Sequence, residues 1–284
     1  MKSSAAWVRL ILFLGAAART ATPAVAETAD EIIAKARAYL GGDAALSAVH
    51  SVHFRGVLET QKVTPTGLVP QKFNVEICFQ KPCQQLIVAS GPETVETTGL
   101  DDYIAWRREQ SLVDPTRWQQ SVQRPDQIRW LRATAWENLN FFKGIEQQGG
   151  KAEVLGRATV DGRPAVKVAF SHSADVVFYN YFDLATGRRL LTETRDRTIR
   201  DEGEILVNGL RFPQRETQVM KALDAKGRPI EQTLIITFDK ITINETFPES
   251  YFELPSLPFP RRLPAVKPAV VPAIVPPAGL TGTK

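Results

Sequence analysis

Residues 152–196 read AEVLGRATVDGRPAVKVAFSHSADVVFYNYFDLATGRRLLTETRD, and this stretch decides the fold. It predicts four short strands, AEVLGRATV, RPAVKVAF, VVFYNYF and RRLLTETRD, joined by tight turns. Asp161-Gly162 supplies the first turn, because Gly accepts the positive φ of a two-residue hairpin. Val166, Val168 and Phe170 alternate with Lys167 on the other parity. Asp183 opens the third turn and Gly187 closes it. Every connection is too short for a crossover helix, so neighbouring strands run antiparallel. Such a sheet, apolar on one face, needs a cover, and the nature of that cover is the functional question.

The chain starts with the features of an export leader. Lys2 and Arg9 give a positive start, Leu10–Ala18 is a short apolar run, and Ala24-Val25-Ala26 is an A-x-A site, predicting cleavage after Ala26. The run is too short for a stable membrane span. No long apolar segment follows, which predicts a periplasmic protein without a transmembrane segment once the leader is cleaved. The formal charge of +4 is an end effect. Lys2, Arg9 and Arg19 in the leader, and Arg261, Arg262, Lys267 and Lys284 in the tail, leave the body net acidic by about three charges. A body of that sign lacks a nucleic-acid footprint. The expected organisation is a signal peptide at 1–26, one domain at 27–257 and a disordered Pro-rich tail at 258–284.

Cys78 and Cys83 flank Phe79–Pro82 between two candidate strands, KFNVEICF and CQQLIVA. Placing the cysteines opposite each other also sets Val75 against Leu86 and Phe73 against Val88, so one register satisfies both patterns. Pro82 favours a four-residue loop. In an oxidising compartment this spacing predicts a Cys78–Cys83 disulfide.

ETADEIIAKARAYLGG predicts a helix with Thr28 as N-cap, Asp30 and Glu31 in its first turn and Gly41-Gly42 at its end. Asp43 caps a second, short helix, and SVHFRGVLET opens the sheet with Val52, Phe54, Gly56 and Leu58 on one face. ETVETTG and DDYIAWRRE are shorter candidate strands around Gly99. Ser111–Gly150 lacks period-two alternation. Pro125 suits a first helical turn, and Ile128, Leu131, Ala135 and Leu139 recur at helical spacing with Trp130, Trp136, Phe141 and Phe142 nearby. Beyond the opening stretch, Asn208-Gly209 and Ala225–Gly227 read as turns, and PESYFELP as a closing edge segment.

No catalytic constellation stands out. His50, His53 and His172 read as solvated, with no third ligand beside the i, i+3 pair. G-x-S-x-G, P-loop, G-x-G-x-x-G and H-E-x-x-H patterns are absent. The expectation is a non-enzyme with no cofactor and no metal; an unrecognised hydrolase is the third choice, because carboxylate pairs distant in sequence leave no local signature. What distinguishes the chain is apolar. Phe54, Leu58, Phe73, Val75 and Ile77, with Phe79 and Leu86, share one predicted sheet face, and the helix carrying Trp130 and Trp136, followed by Phe142, is placed to lie over it. An ordinary filled core is the alternative to a ligand cavity.

ARAYLGGDAALSAVHSVHFRGVLE (36–59), VLGRATVDGRPAVKVAF (154–170), YFDLATGRRLL (181–191), VNGLRFPQRETQ (207–218) and FDKITINETFPESYFELP (238–255) resemble segments of the exported outer-membrane lipoprotein carrier and receptor superfamily (LolA/LolB-like). The resemblance implies an α+β, mainly antiparallel half-barrel whose concave apolar face is covered by helices. It also implies a periplasmic, non-enzymatic carrier or sensor that takes a lipid, a lipoprotein acyl chain or another apolar ligand in that cavity. The alternative is an envelope interaction or structural module with a closed core, its Pro-rich tail reaching a protein partner. Ser111–Gly150 and the tail lie outside the matching segments, and no ligand-contacting residue carries over.

Overall fold

The computed structural model describes residues 27–64, 67–223 and 227–256. The expected leader and cleavage site, the Pro-rich tail and the first two residues of the Ala225–Gly227 turn lie outside the described residues. Helices α1 (Ala29–Leu40) and α2 (Asp43–Ser47) come first, followed by β1 (Ser51–Thr64), β2 (Gly67–Gln80), β3 (Gln84–Ser90), β4 (Thr94–Asp101), β5 (Ile104–Ser111) and β6 (Trp118–Val122). Helix α3 (Pro125–Asn140) and a 3-10 turn (Ile145–Gln148) separate these from β7 (Lys151–Val160), β8 (Arg163–Ser173), β9 (Val176–Asp183), β10 (Arg189–Glu193) and β11 (Arg197–Glu202). The small hairpin β12 (Ile205–Val207) and β13 (Leu210–Phe212) precedes β14 (Arg215–Leu223) and β15 (Pro229–Ile243).

Thirteen strands form one open antiparallel sheet in the order β6-β5-β4-β3-β2-β1-β15-β14-β11-β10-β9-β8-β7. The four strands of 152–196 are β7 to β10, meandering as expected. Asp161 and Gly162 take φ of 49° and 78°, the left-handed pair of a type I′ turn. Asp183 Oδ1 accepts from the N–H groups of Ala185 and Thr186 at 3.0 and 2.8 Å, which closes the third turn. The α1 capping box is complete, with Thr28 Oγ1 accepting from Glu31 N–H and Glu31 accepting from Thr28 N–H.

The sheet curls. Pairing between β1 and β15 shifts register at Arg55/Gly56, and a Cβ on Gly56 would sit 2.0 Å from Thr237 O, so only glycine permits this bulge. Curvature brings residues of β3 and of β14 to the walls of one chamber beneath α3. The inner face holds two apolar clusters. One joins Phe54, Phe79, Phe238 and Ile236 to Leu46 of α2 and Leu139 of α3. The other joins Phe170, Phe178 and Phe182 to Ile33 of α1 and Trp136 of α3. Phe141 and Phe142 end α3 with φ of 48° and 72°, and these left-handed conformations send one ring into each cluster.

Several expectations are corrected. The β2–β3 hairpin has a three-residue loop, Lys81–Cys83, so Cys78 pairs with Leu86 and Val75 with Ala89. In that register even-numbered positions share one face and odd-numbered ones the other. Cys78 and Leu86 therefore lie on the outer face with Trp106, while Cys83 joins the inner cluster. Both cysteines are free and buried, not bridged. Burial pushes the Cys78 thiol up to about 12 and the Cys83 thiol up to about 11. Unreduced native protein is expected to resist iodoacetamide and to take two labels per chain in urea, read by intact mass; no label in urea would establish a disulfide. Gly99 lies within β4, and the turn falls at Asp102-Tyr103. β6 is an unexpected strand inside the Ser111–Gly150 stretch. PESYFELP is not an edge strand: it crosses the outer face, where Trp106 Nε1 donates to Phe252 O at 3.0 Å over a fully buried Phe252 ring.

Candidate functional site: a two-part chamber beneath helix α3

The apolar part of the chamber, about 310 Å³, lies between the sheet and α3. β1 contributes Phe54 and Leu58; β2 contributes Val75, Ile77 and Phe79; β15 contributes Leu234, Ile236 and Phe238. Phe54 is the centre of an aromatic group, 5.0 Å from Phe238 and 5.9 Å from Phe212 between ring centroids. Phe141, Phe142, Thr134, Glu137 and Asn138 form the roof. Of the eight residues singled out from sequence, Phe54, Leu58, Val75, Ile77 and Phe142 line this space.

Three do not. Phe73 shares the face by alternation, but its ring packs at Gly91 and stays partly exposed. Trp136 is buried in the second cluster, against Phe170 at 6.4 Å and His172 at 5.1 Å. Trp130 walls an adjoining polar part of about 480 Å³, where it stacks on Phe178 at 4.9 Å. The two parts share Ile87, Thr134, Glu137, Asn138 and the polar wall Arg189, Arg197, Glu216 and Gln218.

That wall is the feature sequence reading missed. Arg189 Nη2 donates to Asp201 Oδ2 at 2.6 Å, and Arg197 donates to Asp196 and to Gln218 Oε1 while lying 5.3 Å over the Trp130 ring. Glu137, expected nowhere, is buried; it meets His172 Nε2 at 3.0 Å, and Asn180 donates to it at 3.4 Å. Asn180 Oδ1 in turn accepts from Thr192 at 2.6 Å. His172 is thus a half-buried partner and not a solvated side chain, and His53, 3% exposed on the outer face with Nδ1 2.8 Å from Glu245, is a fully buried one. His50 is exposed. Among the described residues no three His, Cys, Asp or Glu side chains gather at a metal-holding distance.

Burial first, then repulsion from Asp201, pushes the Glu216 carboxyl above the usual carboxylate range; Gln218, Arg189 and Arg197 offset part of this. The native state therefore holds this proton more tightly than the unfolded chain. That contribution to stability is full below the unfolded value, about 4.3, and is lost as pH rises through the higher native value. Glu216→Gln is expected to match wild type in urea at pH 4 and to exceed it at pH 7. A gap that fails to widen with pH would contradict the desolvated position of this carboxyl in the chamber wall.

No protein-family model and no curated protein matches the chain. Among solved structures, a LolA superfamily protein from Nitrosomonas europaea superposes with TM-score 0.51 over 81% of this chain and 99% of that one, at 13% identity. The fold is LolA-like. A DUF1329 family protein from Desulfovibrio piger aligns at TM-score 0.48 over 79% of this chain and 97% of its own, with 11% identity. In this LolA-like half-barrel the helices lie on the concave face, and the chamber sits between them and the sheet. No helix among the described residues is long and apolar enough to cross a membrane.

Proposed function

We propose that this protein is a periplasmic, non-enzymatic carrier or sensor whose half-barrel, residues 27–257, takes one apolar chain beneath α3. The observation that carries the reading is the unfilled apolar chamber of about 310 Å³ walled by Phe54, Phe79, Phe212, Phe238 and Ile236. Burying a methylene yields about 0.8 kcal/mol, so a twelve-carbon chain brings roughly 9 kcal/mol against the cost of opening the cover.

The anchoring of α3 supports opening from one end. Its first turns are held by Arg129–Asp175 and Arg132–Asp102, both solvent-facing pairs of the kind that contribute little. Its last carbonyls are held by the buried Arg37. Trp130, on the loosely held half, is the natural reporter. The closed-core interaction module fits less well with an unfilled chamber. Native mass spectrometry of the purified protein with methyl dodecanoate is expected to show a one-to-one adduct, with a shift in Trp emission on titration. No adduct and no spectral change would end the carrier reading.

A further inference from the structure

Of the buried side-chain atoms without a hydrogen-bond partner among the described residues, the Gln85 oxygen is the one on a residue that walls the chamber. Gln85 lies on β3 and is 1% exposed, it walls the polar part of the chamber, and its Oε1 has no hydrogen-bond partner. A buried amide oxygen without a donor costs about 1–3 kcal/mol, so a donor from a bound molecule would be matched to it. The charged groups around it are already engaged. Arg189 is held by Asp201, Arg197 by Asp196 and Gln218, Glu96 by Arg107, and Glu137 by His172 and Asn180. The space left has no free cation for an anionic head, and Glu137 and Glu216 would repel one. Acceptors remain: the Gln85 oxygen and the second lone pairs of the two carboxylates. The apolar part adjoins this space, with eight lining residues in common, which places a head in the polar part next to a chain in the apolar part.

We infer that the ligand is a single-chain amphiphile with an uncharged, hydroxyl-bearing head of the glycerol or sugar type, whose O–H donates to Gln85 Oε1 while the chain fills the apolar part. This rests on the carrier reading and specifies its ligand.

The test is titration of the full-length protein with 1-dodecanoylglycerol, dodecanoate and methyl dodecanoate, followed by Trp emission and native mass spectrometry. These share one chain and differ in donor and charge. The glycerol ester is expected to bind at least tenfold tighter than either of the others. Gln85→Leu, close in volume and free of the unpartnered oxygen, is expected to reduce that preference below threefold while leaving methyl dodecanoate affinity in place; Gln85→Met serves as the second variant. Equal affinities for all three, tighter dodecanoate, or a preference that survives both substitutions overturns the headgroup inference and leaves the carrier reading standing. Failure of all three to bind wild type overturns both.

Discussion

Filling the apolar chamber with an indole, by Ile236→Trp, is expected to weaken binding of any dodecanoyl probe at least a hundredfold while the protein stays folded. Ile236 lies mid-floor, paired with Leu58 across β1 and with Glu216 across β14, and its side chain borders the open volume. A larger ring there has somewhere to go, so the overpacking cost stays within about 1–3 kcal/mol. The ligand loses more, because its affinity comes from methylene burial at about 0.8 kcal/mol each; the space of four such groups already accounts for a hundredfold, about 2.7 kcal/mol. Native mass spectrometry and far-ultraviolet circular dichroism read the two halves of the expectation. Undiminished binding would place the chain elsewhere, in the polar part or on the outer face.

The fold was legible wherever a local rule leaves few choices. Asp161-Gly162, Asn208-Gly209 and the Asp183–Gly187 turn each need particular backbone conformations, and the residue types announce them. Thr28 with Glu31 marks a helix start for the same reason. Register was less legible. Two cysteines five apart suggested one hairpin, yet the loop starts two residues later than expected, at Lys81, and an odd spacing across an even register puts them on opposite faces. β6 escaped because WQQSV shows no apolar alternation: it is an edge strand with little to bury.

The site was half legible. Its floor follows from period-two alternation along β1 and β2. Its polar wall does not, because Gln85, Arg189, Arg197 and Glu216 come from four strands, one of them about a hundred residues before the other three, and polar residues alternating in RETQVMKAL look solvent-facing until the sheet curls. Only curvature, set in part at Gly56, turns them inward. His172 was misread for the same reason: its partner Glu137 lies 35 residues away, on α3.

Arg37→Met is expected to lower the stability of the protein by about 3 kcal/mol, the larger of the two folding effects argued here. The last carbonyls of a helix lack intrahelical donors, and those of α3 point into protein and not into water. Arg37 Nη1 donates to Asn140 O at 2.9 Å and to Phe141 O at 3.1 Å. Its Nε donates to Asp43 Oδ1 at 2.7 Å, and its Nη2 to Asp43 O and Ser47 Oγ at 3.2 and 3.1 Å. One guanidinium, 3% exposed, thus joins α1, α2 and α3. Methionine keeps the apolar stem and removes all five donors, leaving the buried Phe141 O without its donor and Asn140 O with only the Lys143 N–H at 3.1 Å. Arg37→Lys is expected to fall between wild type and Arg37→Met, because an ammonium reaches one or two of these oxygens but lacks the planar fork that reaches all of them. Lys143 also holds Asp43, its ammonium 3.0 Å away on the solvent side, and its backbone N–H donates to Asn140 O at 3.1 Å, but nothing of it reaches Phe141 O, so it does not substitute for the lost donors. Urea midpoints for the three proteins measure the order. A loss below about 1 kcal/mol for Arg37→Met would mean that the end of α3 exchanges its carbonyls with water, and the whole cover, not only its first turns, would then be free to lift.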